Sequence, residues 1–231
     1  MKVAVINFSG NVGKSTIAKH LLLPRIKGAD LVSVESINAD EGAGDAVRGK
    51  QFGALQEQLM TLDAAVIDVG ASNVEDFMKL MRQYRGSHED FDLFVVPAVK
   101  ESKQIRDTIT TIDALKNMGI PAKKIRVVFN KLEADETVEE AFYPLIAFHS
   151  TSKAYTLKPD AAIQFSDLYQ RTRAMGMTVD DLLADTTDWK AKLRAATSPE
   201  EKSQAATMIS MRRLAASAKE NLDAVFTALT K

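Results

Sequence analysis

The chain contains no cysteine, which excludes disulfide scaffolds, thiolate nucleophiles and Cys-based zinc sites together. It has 3 histidines, His20, His88 and His149, too far apart for ligand spacing, so neither a histidine metal site nor a Ser-His-Asp arrangement is expected. An excess of one charge is also missing: 30 Lys+Arg face 31 Asp+Glu, which leaves no global electrostatic footprint for nucleic acid or anionic lipid. A DNA contact would need a local patch, for which Lys123-Lys124-Arg126 and Arg171 with Arg173 are candidates and solvated faces the default. No apolar run approaches the roughly 20 residues that span a bilayer. The N-terminus passes from Met1-Lys2 straight into a short apolar strand without the regions of a signal peptide, so a cytoplasmic protein is expected.

What is present is enough chain, 231 residues, for one α/β domain with a modest appendage. Short β-rich apolar runs alternate with helical spacing through about residue 149. This pattern predicts a doubly wound, mainly parallel α/β sheet, with strands at 3–8, 31–35, 64–68, 93–97, 125–130 and 145–149. Ile105, Ile109, Ile112 and Leu115 form one apolar helix stripe, stopped by Gly119-Ile120-Pro121. From about Pro159 the strands cease, and 160–175 and 179–196 read as helices around a hinge-like Gly176. Ser198, Pro199 and Glu201 have the spacing of an N-cap, a first-turn proline and a capping box, opening a long final helix. Its seam is Met208, Met211, Leu214 or Ala215, Ala218, Leu222, Val225 and Leu229. The expected division is a nucleotide-binding domain over 1–175 and a helical C-terminal extension over 176–231, packed on the core or on a partner. The mixed charges and many alanines of the final helix argue against a membrane-surface role.

The chemistry is concentrated at Gly10-Asn11-Val12-Gly13-Lys14-Ser15-Thr16, directly after a strand and opening a helix. That is the context of a phosphate loop, in which glycines let backbone N–H groups form an anion nest and the helix N-terminus adds positive potential. Lys14 would reach the β- and γ-phosphates of a triphosphate, and the Ser15 hydroxyl would ligate Mg²⁺. Downstream, an apolar strand ends at Asp68, followed closely by Gly70. This is the form of a Walker B and switch segment in which Asp68 holds the metal's shell. Taken alone, Asp68 would merely end a strand; below a phosphate loop the functional reading prevails.

A standard loop would place its first glycine where Phe8 stands. The spacing instead resembles the deviant Walker A motif of the ParA/MinD family of partitioning and positioning ATPases. Two positions depart from that motif: its signature lysine is Ser9 here and its second glycine is Asn11. In that family the lysine reaches a partner's nucleotide across a dimer, so its replacement bears on how a homodimer would form. The resemblance implies that Glu35 matches the first carboxylate of an Asp-x-Asp pair and joins Ser15 and Asp68 at the metal. The second carboxylate, which orients the attacking water, falls on Ile37; Asn38, Asp40 or Glu41 could substitute if the loop shifts, with Asp40 the candidate.

The resemblance further implies that Asn130, followed by Lys131, contacts the base, with Pro159 in a loop closing over it. Asn130-Lys131-Leu132-Glu133 also looks like the guanine-reading Asn-Lys-x-Asp, but the longer Glu133 favours ATP over GTP. Similarity covers about residues 2–175, and among relatives the pattern is most like plasmid StbB-type and conjugative TraL-type members. What it implies is an ATP-dependent switch for plasmid maintenance, positioning or transfer, with Mg²⁺, slow hydrolysis, a plasmid-encoded DNA-binding adaptor as partner and possible DNA contact. The alternative is a nucleotide-binding regulatory module with little hydrolysis, motivated by Ser9 and Ile37.

Overall fold

In the computed structural model, which describes residues 1–34 and 45–231 (45–50 as backbone), six strands form one parallel sheet. They are β1 (Lys2–Val5), β2 (Asp30–Val34), β3 (Ala65–Val69), β4 (Leu93–Ala98), β5 (Ile125–Leu132) and β6 (Ala162–Gln164). Their order is β2-β3-β1-β4-β5-β6, so the chain leaves β1 for one side of the sheet and later crosses to the other. The C-terminal end of β1 lies at that change of direction, the crevice where open α/β sheets bind ligands.

The strands are apolar on both faces because helices cover both. Alternate residues split accordingly. Ala4, Ile6, Ile67, Phe94, Val96 and Phe129 join a core that includes α2 (Asp45–Thr61), α3 (Val74–Gln83) and α4 (Ser102–Asn117). Val3, Val5, Val66, Val95 and Val128 face the helix after the phosphate loop and the end of the last helix. The former is α1 (Lys14–Thr16), continued as a π-helical stretch, Ile17–Leu22. The latter is α10 (Pro199–Thr230), whose Leu222, Val225 and Leu229 are buried there. Asn221 of α10 accepts from the Gln164 amide at 3.1 Å and donates to the Ala162 carbonyl at 3.0 Å, occupying the free edge of β6.

The sixth strand is not the one expected. Residues 145–149 lie within α6 (Tyr143–Ser152), which follows the short α5 (Val138–Ala141). Pro144 occupies its first turn, and a short apolar run cannot distinguish strand from buried helix by periodicity. The actual β6 has 3 residues, too few to show a period, and it falls at the start of the expected 160–175 helix. That helix is confined to α7 (Leu168–Ala174), stopped by Gly176 at φ 65. The expected 179–196 helix is two, α8 (Val179–Ala184) and α9 (Trp189–Ala195). Between them the Asp185 carboxylate accepts from the Thr187 amide and the Trp189 indole N–H, a local bond that competes with helix continuation. The Ser198 capping box and first-turn Pro199 of α10 are present as read.

Candidate functional site

The polar residue inside the first apolar run, Asn7, organises the phosphate loop. Its amide donates to the Pro97 carbonyl at 2.7 Å and to Thr108 Oγ1 at 2.8 Å, while its own oxygen accepts from the Ser9 amide at 2.8 Å. The Phe8 amide donates to Thr111 Oγ1 at 3.1 Å. The end of β1 is thereby fastened to β4 and α4, and Ser9 is left 2 % exposed. Lys14 folds back over this segment, donating to the carbonyls of Asn7 at 3.1 Å and Ser9 at 2.7 Å.

Beyond Ser9 the loop turns through left-handed residues, Asn11 at φ 61 and Gly13 at φ 92. Asparagine tolerates this region better than other side chains, which accounts for Asn11 where a glycine was anticipated. Gly13 has no such latitude, because a Cβ there would overlap the Asn130 amide nitrogen. That nitrogen donates to the Val12 carbonyl at 2.9 Å, and the Asn130 oxygen accepts from the Lys131 amide at 3.0 Å. Asn130 therefore clamps the loop to β5, and only its remaining N–H and lone pair are open to a base.

Burial pushes the Lys14 ammonium down to about 8, partly offset by the negative charge of Asp68. Asp68 sits on β3, in register with Val5 of the adjacent β1, and is itself buried. One of its carboxylate oxygens is buried with no hydrogen-bond partner. Such an atom calls for a cation or ordered water. Ser15 is exposed at the start of α1, and Thr16 is half-buried beside it. The structure thus brings together Gly10 through Thr16, Asp68 and Asn130.

Lys131 is exposed at φ 61, at the register shift between β5 and β6. Pro159 lies in an exposed turn leading into β6, next to the early part of β5, whereas Asn130 is near that strand's end. Glu35, Ile37, Asn38, Asp40 and Glu41 lie outside the described residues.

Several residues at this end of the sheet escaped the sequence reading. Asn7, Thr108 and Thr111 form the clamp just described; a polar residue in an apolar strand and threonines on an otherwise isoleucine-lined helix face were the available signals. Phe165, 55 % exposed, directly follows β6, with its amide donating to Leu132. His20, Tyr169 and Arg173 line a cavity beside Ser15 and Thr16. Nothing in the local sequence announces that last grouping, because α1 and α7 meet only through the fold.

Comparison with protein-family models and with curated proteins yields no match. Solved structures do match. The MinD cell division protein of Aquifex aeolicus superposes with a TM-score of 0.58 at 12 % identity, over 99 % of this chain and 96 % of that one. Apo McdA of Cyanothece gives a TM-score of 0.53 at 15 % identity, over 78 % of this chain and 92 % of the other. At these identities the likeness is one of fold: a parallel sheet with flanking helices and a C-terminal helix, as in MinD and McdA.

Proposed function

We propose that this chain is a nucleotide-controlled switch of the ParA/MinD type that binds ATP with Mg²⁺ and hydrolyses it slowly to regulate protein association. The observation that carries the reading is a buried Lys14 folded over a left-handed loop, with an unpartnered Asp68 oxygen on the neighbouring strand. A triphosphate would take the loop's backbone N–H groups and turn Lys14 from the Asn7 and Ser9 carbonyls toward the β- and γ-oxygens. Ser15 and Asp68 would hold Mg²⁺, with Glu35 as the further carboxylate. Among the described residues no group of three or more acidic or histidine ligands exists, which suits an ion coordinated mainly by phosphate and water.

In hydrolysis, water attacks the γ-phosphorus as the bond to the β–γ bridging oxygen breaks, giving ADP, orthophosphate and a proton. Lys14 would offset the charge spreading over the transferring group, and Mg²⁺ held by Ser15 and Asp68 would supply further positive charge there. Asp40 is the candidate to orient that water. Asn130 and Lys131 are assigned to the adenine side, whereas Pro159, in the turn ahead of β6, lies away from them. The biological setting rests on the sequence resemblance: a cytoplasmic homodimer serving plasmid maintenance, positioning or conjugative transfer, with a plasmid-encoded DNA-binding adaptor.

One observation favours the second reading, a regulatory module with little intrinsic hydrolysis. Ser9 is buried and its side chain donates a hydrogen bond to Asp107 of α4, so it is not placed to reach a partner's nucleotide. Single-turnover cleavage of ATP, with and without candidate partners, decides between the two. A rate above that of Lys14→Ala supports the ATPase; a rate equal to it under every condition leaves only the binding module.

A further inference from the structure

Along the helix that follows the phosphate loop, Ser15, Thr16, Lys19 and His20 share one face, while Ile17, Ala18, Leu21 and Leu22 enter the core. The polar face is not simply solvated. It forms one wall of a cavity of about 370 Å³, closed on the other side by Tyr169 and Arg173 of α7 and by the Gly176-Met177-Thr178 turn into α8. Among the described residues no carboxylate lines this cavity. Its charged side chains are Lys19 and Arg173, both exposed, and among the described residues neither forms an ion pair. The nearby acids, Asp180 and Asp181, lie on α8 outside the lining.

The decisive group is His20, 7 % exposed. Its Nδ1 accepts a hydrogen bond from the Val179 amide at 3.3 Å, so in the neutral ring the proton must sit on Nε2. Burial pushes its pKa down and keeps the ring neutral. Nε2–H is therefore a donor, and among the described residues no acceptor pairs with it. With Lys19, Arg173 and the Ser15 and Thr16 hydroxyls, the wall presents donors and positive charge to whatever enters.

We infer that this cavity binds an acceptor-rich anionic group, a phosphate or carboxylate, held by His20 Nε2–H, Lys19 and Arg173. Two sources share that chemistry: a phosphoryl group of the nucleotide in the phosphate loop, or a separate small anion beside it. The first rests on the triphosphate reading above; the second does not.

Calorimetry on the full chain separates them, with wild type and the Lys19→Gln/Arg173→Gln double variant, whose substituted residues are exposed and unpaired. The probes are magnesium ATP, inorganic tripolyphosphate, and orthophosphate with and without a slowly hydrolysed ATP analogue. If a phosphoryl group of the nucleotide supplies the anion, the double variant loses about tenfold or more in affinity for ATP and for tripolyphosphate alike, the scale of one charge-assisted hydrogen bond. If the anion is separate, analogue-saturated wild type binds orthophosphate and the double variant does not.

Equal binding of every probe by both proteins overturns the inference. So does a histidine ¹⁵N spectrum in which His20 lacks the Nε2–H tautomer or does not respond to any probe. Wild type that binds neither ATP nor tripolyphosphate defeats the triphosphate reading instead. Orthophosphate alone then decides the cavity, which stands if binding needs Lys19 and Arg173 and falls if there is none.

Discussion

The phosphate-loop end of the sheet and the helical extension are held together by different physics. Around the loop, polar side chains are buried and paired: Asn7, Ser9, Lys14, Thr108, Thr111 and Asn130 are all buried and linked by directional hydrogen bonds. In the extension the buried contacts are mainly apolar. Leu168, Val179, Leu182, Met208, Met211 and Ala215 form a small separate core, and α9 buries none of its residues. Hydrogen bonds fix positions sharply and are expensive to break singly, whereas side chains such as methionine accommodate change. The loop is thus built to hold one geometry, and the extension to tolerate change.

The largest expected effect contrasts glycines. Gly13→Ala must strain a φ of 92 and displace the Asn130 amide, so a loss of about 3 kcal/mol and of nucleotide binding is expected. Gly176→Ala meets nothing within 4 Å and bears only the left-handed backbone cost, about 1 kcal/mol, with nucleotide affinity retained. Thermal melts with calorimetric titration of ATP check both. Equal destabilisation by the two would erase the contrast.

Next in size is Asn130→Ala, which deletes the amide bridge to Val12. About 2 kcal/mol of stability should go, with weakened binding of tripolyphosphate as well as ATP, since the loop itself is released. A change confined to ATP would instead make Asn130 a base reader alone. In the extension, Ser198→Ala removes one half of the α10 capping box at an exposed helix start. That should cost about 1 kcal/mol in urea unfolding and leave tripolyphosphate affinity unchanged. Loss of binding there would mean that the two regions are coupled more tightly than their separate cores suggest.

The same division governs what could be read from the sequence. The loop was legible because its chemistry is local: Gly13, Lys14 and Ser15 must follow a strand and open a helix, and they do. The capping box of α10 was legible for the same reason. The sixth strand was not, since Leu145-Ile146-Ala147-Phe148 satisfies either a helix or a strand, and Ala162–Gln164 is a strand only because β5 lies beside it. The break between α8 and α9 was hidden in one aspartate's choice of partners. Asn130 was located but half understood, because its bond to Val12 spans 118 residues of sequence. The Asn7 clamp and the His20 cavity were invisible for that reason too, being made by elements that meet only after folding.

The smallest expected effect is a titration. In the ligand-free protein Lys14 releases its proton at about 8, because burial disfavours the ammonium more than Asp68 supports it. A bound triphosphate supplies negative charge beside Nζ and raises that value, so binding takes up a proton wherever the empty site is partly neutral. Affinity is therefore full well below pH 8 and falls as pH rises through it: by about twofold from pH 7 to 8 and about fivefold from 8 to 9. Stability of the empty protein moves the other way. The unfolded lysine keeps its proton up to its ordinary value of 10.5, so folding releases a proton between about 8 and 10.5 and stability rises with pH across that interval. ATP titrations in two buffers of different ionisation enthalpy measure the proton uptake directly. Uptake near one proton at pH 9, abolished in Lys14→Met, is the expected result; none at that pH would mean that Lys14 does not meet the phosphates.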